Sequence, residues 1–187
     1  MSDIKESLGK PFKFTDFVEF VEVEDNKGTR RTLRTTETVM PKGIYQLYLP
    51  KFGVLYLGIS GVETDSSRMG VKNRLYAHAQ KMTGQFKGAS DTKAFSEFRD
   101  EAVAAGYDLD TILDKILVFF MPCTKMSKTE IEAWETVIYN ALKSKGQCRF
   151  NSAKKIEGMD AGTLNFVLNQ EYLTDTAQYY IWNTSLL

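Results

Sequence analysis

"GIYQLYLPKFGVLYLG" (residues 43–58) sets the first constraint on this chain. Two short, aromatic-rich, β-prone runs, "GIYQLYL" and "VLYLGI", flank "PKFG", whose proline and glycine suit a turn, so the stretch predicts a β-hairpin. Counting the loop as Lys51 and Phe52, or as Pro50 to Gly53, gives one register: Tyr45 faces Gly58 and Leu47 faces Tyr56. Both tyrosines then share a face, about 7–8 Å apart on the diagonal. A bulge would break this, because a one-residue slip turns a side chain to the other face. From the hairpin alone, two rings on one face read as core packing.

Upstream, "FKFTDFVEFVEVEDNKGTRRTLRT" alternates apolar and polar residues on both sides of "DNKG", which predicts a further hairpin packed on the core. Downstream, Val71, Leu75, Ala79 and Met82 recur at helical spacing over 71–82, ended by Thr83 and Gly84. "TKAFSEFRDEAVAAG" predicts a second helix closed by Gly106, and "KILVFFM" a buried strand ended by Pro122. "SKTE" introduces a helix over 128–143, with Ser127 as cap and Glu130 returning the bond. The tail offers a helix, "AGTLNFVLNQEYL", and a short strand, "YYIW". The expected class is α+β, a small central, mainly antiparallel sheet flanked by helices. The expected organisation is an extension over 1–42, a core over 43–156 and a C-terminal helix-and-strand extension over 157–187.

The chain has 187 residues, 43% of them hydrophobic, enough for one sizeable core. No window approaches the roughly 18 apolar residues of a membrane span, and "MSDIKESLGK" has no apolar leader core, so no membrane partner is expected. Cytoplasm is the expected location. Cys123 and Cys148 fit no zinc spacing and read as reduced structural thiols. Lysine plus arginine and aspartate plus glutamate each total 24, yet the charges are segregated. Ser66–Ser90 contains no acid but holds Arg68, Lys72, Arg74, Lys81 and Lys87. Thr136–Ile156 contains none but holds Lys143, Lys145, Arg149, Lys154 and Lys155. A neutral chain arranged so can still present a basic face to a polyanion.

Two helices carry residues that packing alone does not explain. Arg74 and His78, the only histidine, lie about 40° apart on one edge of the first helix's apolar stripe. On the 128–143 helix, Ile131, Ile138 and Leu142 define a buried stripe, and Glu135 projects inside it. An unpaired carboxylate buried there costs several kcal/mol, roughly, so it needs a partner. An arginine such as Arg74 is one candidate. A hard cation that keeps its waters for a phosphate is the other.

"GIY" at 43–45 and "YLG" at 56–58 resemble the signature of the GIY-YIG nuclease family. The likeness continues through Arg74 in "NRLYAH", His78 four residues later as in restriction-type members, Glu135 in "ETVI" and Asn151 in "RFN". Two segments are longer than in compact members: the one between Gly58 and Arg74, and the one from Glu135 to Asn151, which "SKGQC" stretches. The upstream hairpin resembles stand-alone phage and restriction-type nucleases, acting in a bacterial or phage-infected host cell.

The resemblance implies an endonuclease that hydrolyses phosphodiester bonds of double-stranded DNA with one Mg2+ or Mn2+ held by Glu135. It gives Tyr45 the activation of the attacking water, Arg74 the neutralisation of phosphate charge, Tyr56 and His78 positioning and proton relay, and Asn151 orientation by hydrogen bonds. Lys72 is an alternative partner for the nucleophile. A free phenol titrates near ~10, so Tyr45 needs nearby cations to serve as a base. Arg68, Lys72, Lys81, Lys143, Lys145, Arg149 and Lys154 are the candidate DNA contacts, and cutting both strands would suit a homodimer. The competing readings are a DNA-binding or interaction module that retains the fold, and a structural Glu135–Arg74 ion pair.

Overall fold

The structure is a computed structural model and describes residues 11–36, 42–60, 71–85, 93–123 and 125–151. The expected tail helix and "YYIW" strand lie outside these residues. The class is α+β. Strands β1 (Phe12–Lys13), β2 (Val18–Asp25), β3 (Gly28–Thr35), β4 (Gly43–Leu49), β5 (Gly53–Ser60) and β6 (Leu117–Pro122) accompany helices α1 (Val71–Thr83), α2 (Lys93–Ala104) and α3 (Lys128–Ser144). Two compact units share the described residues: 11–12, 42–60, 118–123 and 125–151 form one, and 13–36, 71–85 and 93–117 the other.

The first unit centres on a sheet of order β1-β6-β4-β5, in which β4 and β5 form the predicted antiparallel hairpin. From Gly43↔Ser60 to Leu47↔Tyr56 the pairing is as expected, with Tyr45 opposite Gly58. A bulge follows Leu47: the next partners are Tyr48↔Val54 and Leu49↔Gly53, leaving Leu55 as the extra residue. The loop therefore holds three residues rather than two or four. Lys51 (φ 71°) and Gly53 (φ 75°) both take left-handed backbone, which closes the turn early, and the surplus residue moves into the strand. Because the bulge lies on the turn side of both tyrosines, it does not part them.

Alternation along this hairpin does not separate core from solvent. Every residue of β4 is buried except half-buried Tyr48, since β4 lies between β6 and β5 and both its faces are covered. On one face Ile44, Leu57 and Val54 join Met121 of β6 and Ile131, Trp134, Ile138 and Leu142 of α3 in a single core. The other face carries Tyr45 and Tyr56. Helix α3 starts as predicted: the Glu130 amide donates to Ser127 Oγ at 3.3 Å, and the Ser127 amide donates to Glu130 Oε2 at 2.6 Å.

The second unit contains β2–β3, α1 and α2, with 3-10 turns at Phe14–Asp16 and Ile112–Lys115. The N-terminal "FKFTD" belongs to β1 and the first of these turns rather than to an arm of the hairpin. Helix α1 packs on β2, β3 and α2, burying Leu75, Ala79 and Met82 as its periodicity predicts. Gly84 and Gly106, at φ +76° and +86°, end the two helices. The acids of β2 face the bases of β3: Arg34 pairs with Glu19 at 2.9 Å, Arg30 with Asp25 at 3.1 Å, and Arg31 lies 4.2 Å over the Phe20 ring. Among the described residues no helix is long and apolar enough to cross a membrane.

Gln46 departs from the apolar logic of β4. It is 1% exposed, on the face that packs with α3, and neither amide atom has a hydrogen-bond partner. Replacing a buried, unsatisfied amide by an apolar group of similar size removes a desolvation penalty of about 1–3 kcal/mol. Gln46→Leu is expected to raise the urea midpoint with an unchanged slope; an unchanged or lower midpoint would show that the amide is satisfied in solution.

Candidate active site

The tyrosine pair is built by two glycines that admit no side chain. A Cβ on Gly58 would lie 2.8 Å from Tyr45 Cζ and 2.7 Å from Tyr56 Cε1. A Cβ on Gly43 would meet the Met121 carbonyl oxygen and come within 2.7 Å of the Phe120 ring. The glycines of "GIY" and "YLG" thus admit β6 on one side and the tyrosine rings on the other. The ring centroids are 6.0 Å apart at 35°. Tyr45 is fully buried, its hydroxyl included, whereas Tyr56 is half-buried. The two phenols therefore differ in exposure, the cross-strand partner of Tyr45 being a glycine over which its ring folds.

Asn151 bonds to the backbone between those motif residues. The Leu57 amide donates to its Oδ1 at 2.9 Å, and its Nδ2 donates to the Leu57 carbonyl at 2.6 Å. Glu135 is half-buried within the expected stripe of α3. Burial, with the Glu135 charge adding to it, pushes the Cys148 thiol up to about 12, and burial lifts Cys123 to about 11. Both thiols are free and buried, as their spacing suggested. Lys143, Lys145 and Arg149 are exposed at the end of α3 and just beyond it, Lys143 lying 5.5 Å over the Tyr139 ring.

Arg74, His78 and Lys81 belong to the second unit, spaced along one side of α1. The His78 ring meets Phe95 of α2 at 6.3 Å, Lys81 Nζ lies 5.4 Å over the same ring, and Arg99 donates to the Lys81 carbonyl at 2.5 Å. Burial, then the charges of Lys81 and Arg74, lower His78 from 6.5 to about 3, so near neutral pH it is uncharged and offers a lone pair rather than a cation. Of the remaining candidates, Lys72 is described only as part of the α1 backbone, and Arg68 and Lys154 lie outside the described residues.

The structure brings Tyr45 to Tyr56, Asn151 to Leu57, and Arg74 to His78 and Lys81. Tyr45 and Tyr56 lie on the sheet face opposite to the one that packs with α3, the helix of Glu135. Sequence reasoning missed Gln147, whose Oε1 accepts from the Val54 amide at 3.0 Å; nothing in "SKGQC" marks it. Neither a family model nor a curated protein nor a solved structure matches the chain.

Two outcomes follow from this geometry. Gly58→Ala is expected to lose about 1–3 kcal/mol through overpacking and to displace the Tyr45 ring, read as a lower urea midpoint and altered near-ultraviolet tyrosine dichroism. Because folding depresses the His78 pKa, the unfolded chain takes up the proton first as pH falls below 6.5. Stability therefore drops from that pH toward about 3, at up to ~1.4 kcal/mol per pH unit. Wild type is expected to lose more stability than His78→Phe between pH 6.5 and 5; parallel profiles would refute the depressed pKa.

Proposed function

We propose that the protein is a GIY-YIG-type endonuclease that hydrolyses double-stranded DNA, with its phosphate site at the outer edge of β5. The observation that carries this reading is the tyrosine pair held on one face by the glycines of both motif triplets, a packing reason for each letter that the resemblance rests on. Edge placement follows from the faces. The tyrosines lie on one side of β4–β5 and the Glu135 helix on the other, and a phosphate reachable from both sides has to sit where the sheet ends. Among the described residues the sheet ends at β5 on the side of this hairpin. Exposed Lys143, Lys145 and Arg149 supply contacts to the DNA backbone, which fix orientation rather than sequence.

A divalent cation fits the donors in one respect and constrains them in another. Among the described residues no three His, Cys, Asp or Glu side chains cluster, so a closed cage of protein ligands does not account for it. A single carboxylate suits Mg2+, which keeps waters and takes its other ligands from the substrate, and the protonated Cys148 thiol adds no donor. Glu135 would hold the ion, whose chemistry is to polarise the scissile phosphate and ease departure of the leaving oxygen. Tyr56, the phenol with open surface, orients the attacking water, and Tyr45 stands enclosed behind it. The expectation that Tyr45 activates the water is revised on that ground. For Arg74 and His78, which belong to the second unit, the roles rest on the resemblance alone: it would make Arg74 the guanidinium that neutralises phosphate oxygens and His78 a neutral acceptor.

The test is nicking of supercoiled plasmid with and without Mg2+. Wild type is expected to nick only with the metal, and Glu135→Ala to lose about 10²–10³-fold in rate while retaining DNA affinity. Tyr56→Phe is expected to slow the reaction more than Tyr45→Phe. Full activity in Glu135→Ala, or a wild type that binds DNA without cutting it, would overturn the nuclease reading in favour of a binding module.

A further inference from the structure

We infer that the segment Gln147–Asn151 is a register lock on β5, with Gln147 and Asn151 acting as positioning residues for Tyr56. This rests on the nuclease reading only where Tyr56 is given a chemical role; the lock itself is a property of the fold.

Among the described residues no strand lies beside the outer edge of β5, and its outward amides and carbonyls take other partners. The segment after α3 provides them without forming a strand. Val54 N donates to Gln147 Oε1 at 3.0 Å, Cys148 N donates to the Val54 carbonyl at 2.8 Å, and Phe150 N donates to the Leu55 carbonyl at 3.3 Å. Asn151 then takes both polar groups of Leu57 with its side-chain amide, at 2.9 and 2.6 Å. Cys148 has φ 58°, and Asn151 N returns to the Cys148 carbonyl at 3.2 Å, so the segment turns away from an extended path. At both ends a side-chain amide does what a backbone neighbour would do in a regular ladder.

Parity makes this arrangement selective. In a regular strand, residues whose backbone groups face one edge are two apart, so Val54 and Leu57, three apart, cannot both face outward. They do so here because the bulge inserts Leu55 between them and turns its carbonyl outward as well. The acceptors of Gln147 and Asn151 therefore match the bulged strand and mismatch a regular one. Moving the extra residue past Tyr56 would send its ring to the α3 face and away from Tyr45. Gly53 completes the fit: a Cβ there would come within 3.1 Å of the Gln147 amide.

The two amides differ in a way that gives the test its form. Gln147 uses an acceptor, which glutamate keeps and methionine lacks; Asn151 uses an acceptor and a donor, and aspartate keeps only the first. In the full-length chain, amide exchange at Val54 and Leu57 and the ring-to-ring nuclear Overhauser effect between Tyr45 and Tyr56 are measured. Gln147→Met is expected to speed Val54 exchange by about tenfold or more and weaken the ring contact, with Gln147→Glu close to wild type. Asn151→Asp is expected to speed exchange at Leu57, with Asn151→Ala faster still. In the plasmid assay Gln147→Met should lose rate without losing DNA affinity, and Gln147→Glu should restore it. Unchanged Val54 exchange and an intact ring contact in Gln147→Met would overturn the lock. A wild type that fails to nick would sink the nuclease reading alone, since exchange and ring contact still decide the lock.

Discussion

The space above Gly58 belongs to the Tyr45 ring, and much of the first unit follows from that exclusion. A hydrogen is the only substituent that fits there, so the Tyr45 ring reaches over its cross-strand partner and Tyr56 packs beside it. Gly43 repeats the device toward β6, where it lets backbone and the Phe120 ring approach. Side-chain deletion at two points thus lets three strands and two rings close together, which neither β-propensity nor hydrophobicity would provide alone.

Much of the hairpin was legible in the sequence because its information is local. Turn chemistry in "PKFG" and the period of two fix the pairing of Tyr45 with Gly58, and "SKTE" fixes the start of α3. The bulge was not legible: it depends on Lys51 taking a left-handed conformation and on partners from residues 147–151, almost a hundred positions away. Burial of Tyr45 was hidden for a related reason. Periodicity assigns a side chain to a face and says nothing of what lies over that face. Glu135 could be recognised as misplaced on an apolar stripe, while the outward basic residues near it were visible only as a run without acids.

Charge shows the same division between composition and arrangement. A net charge of zero conceals a hairpin whose acidic and basic strands face one another, so those arginines are engaged locally with carboxylates or with Phe20. Such exposed pairs contribute little stability, about 0–1 kcal/mol each. Their effect is to make β2–β3 electrically quiet, leaving Lys143, Lys145 and Arg149 as cations of the first unit that stand exposed on its surface.

The two buried thiols make the first unit its own clock. Cys123 and Cys148 are the only cysteines of the chain, both lie in the core shared by the sheet and α3, and both are held protonated far above neutral pH. An alkylating reagent attacks thiolates, so it reads a closed core as silent and an opened one as reactive. The rate at which these sulfurs become labelled is therefore a native timer for separation of α3 from the hairpin. No probe has to be engineered into the chain to follow it.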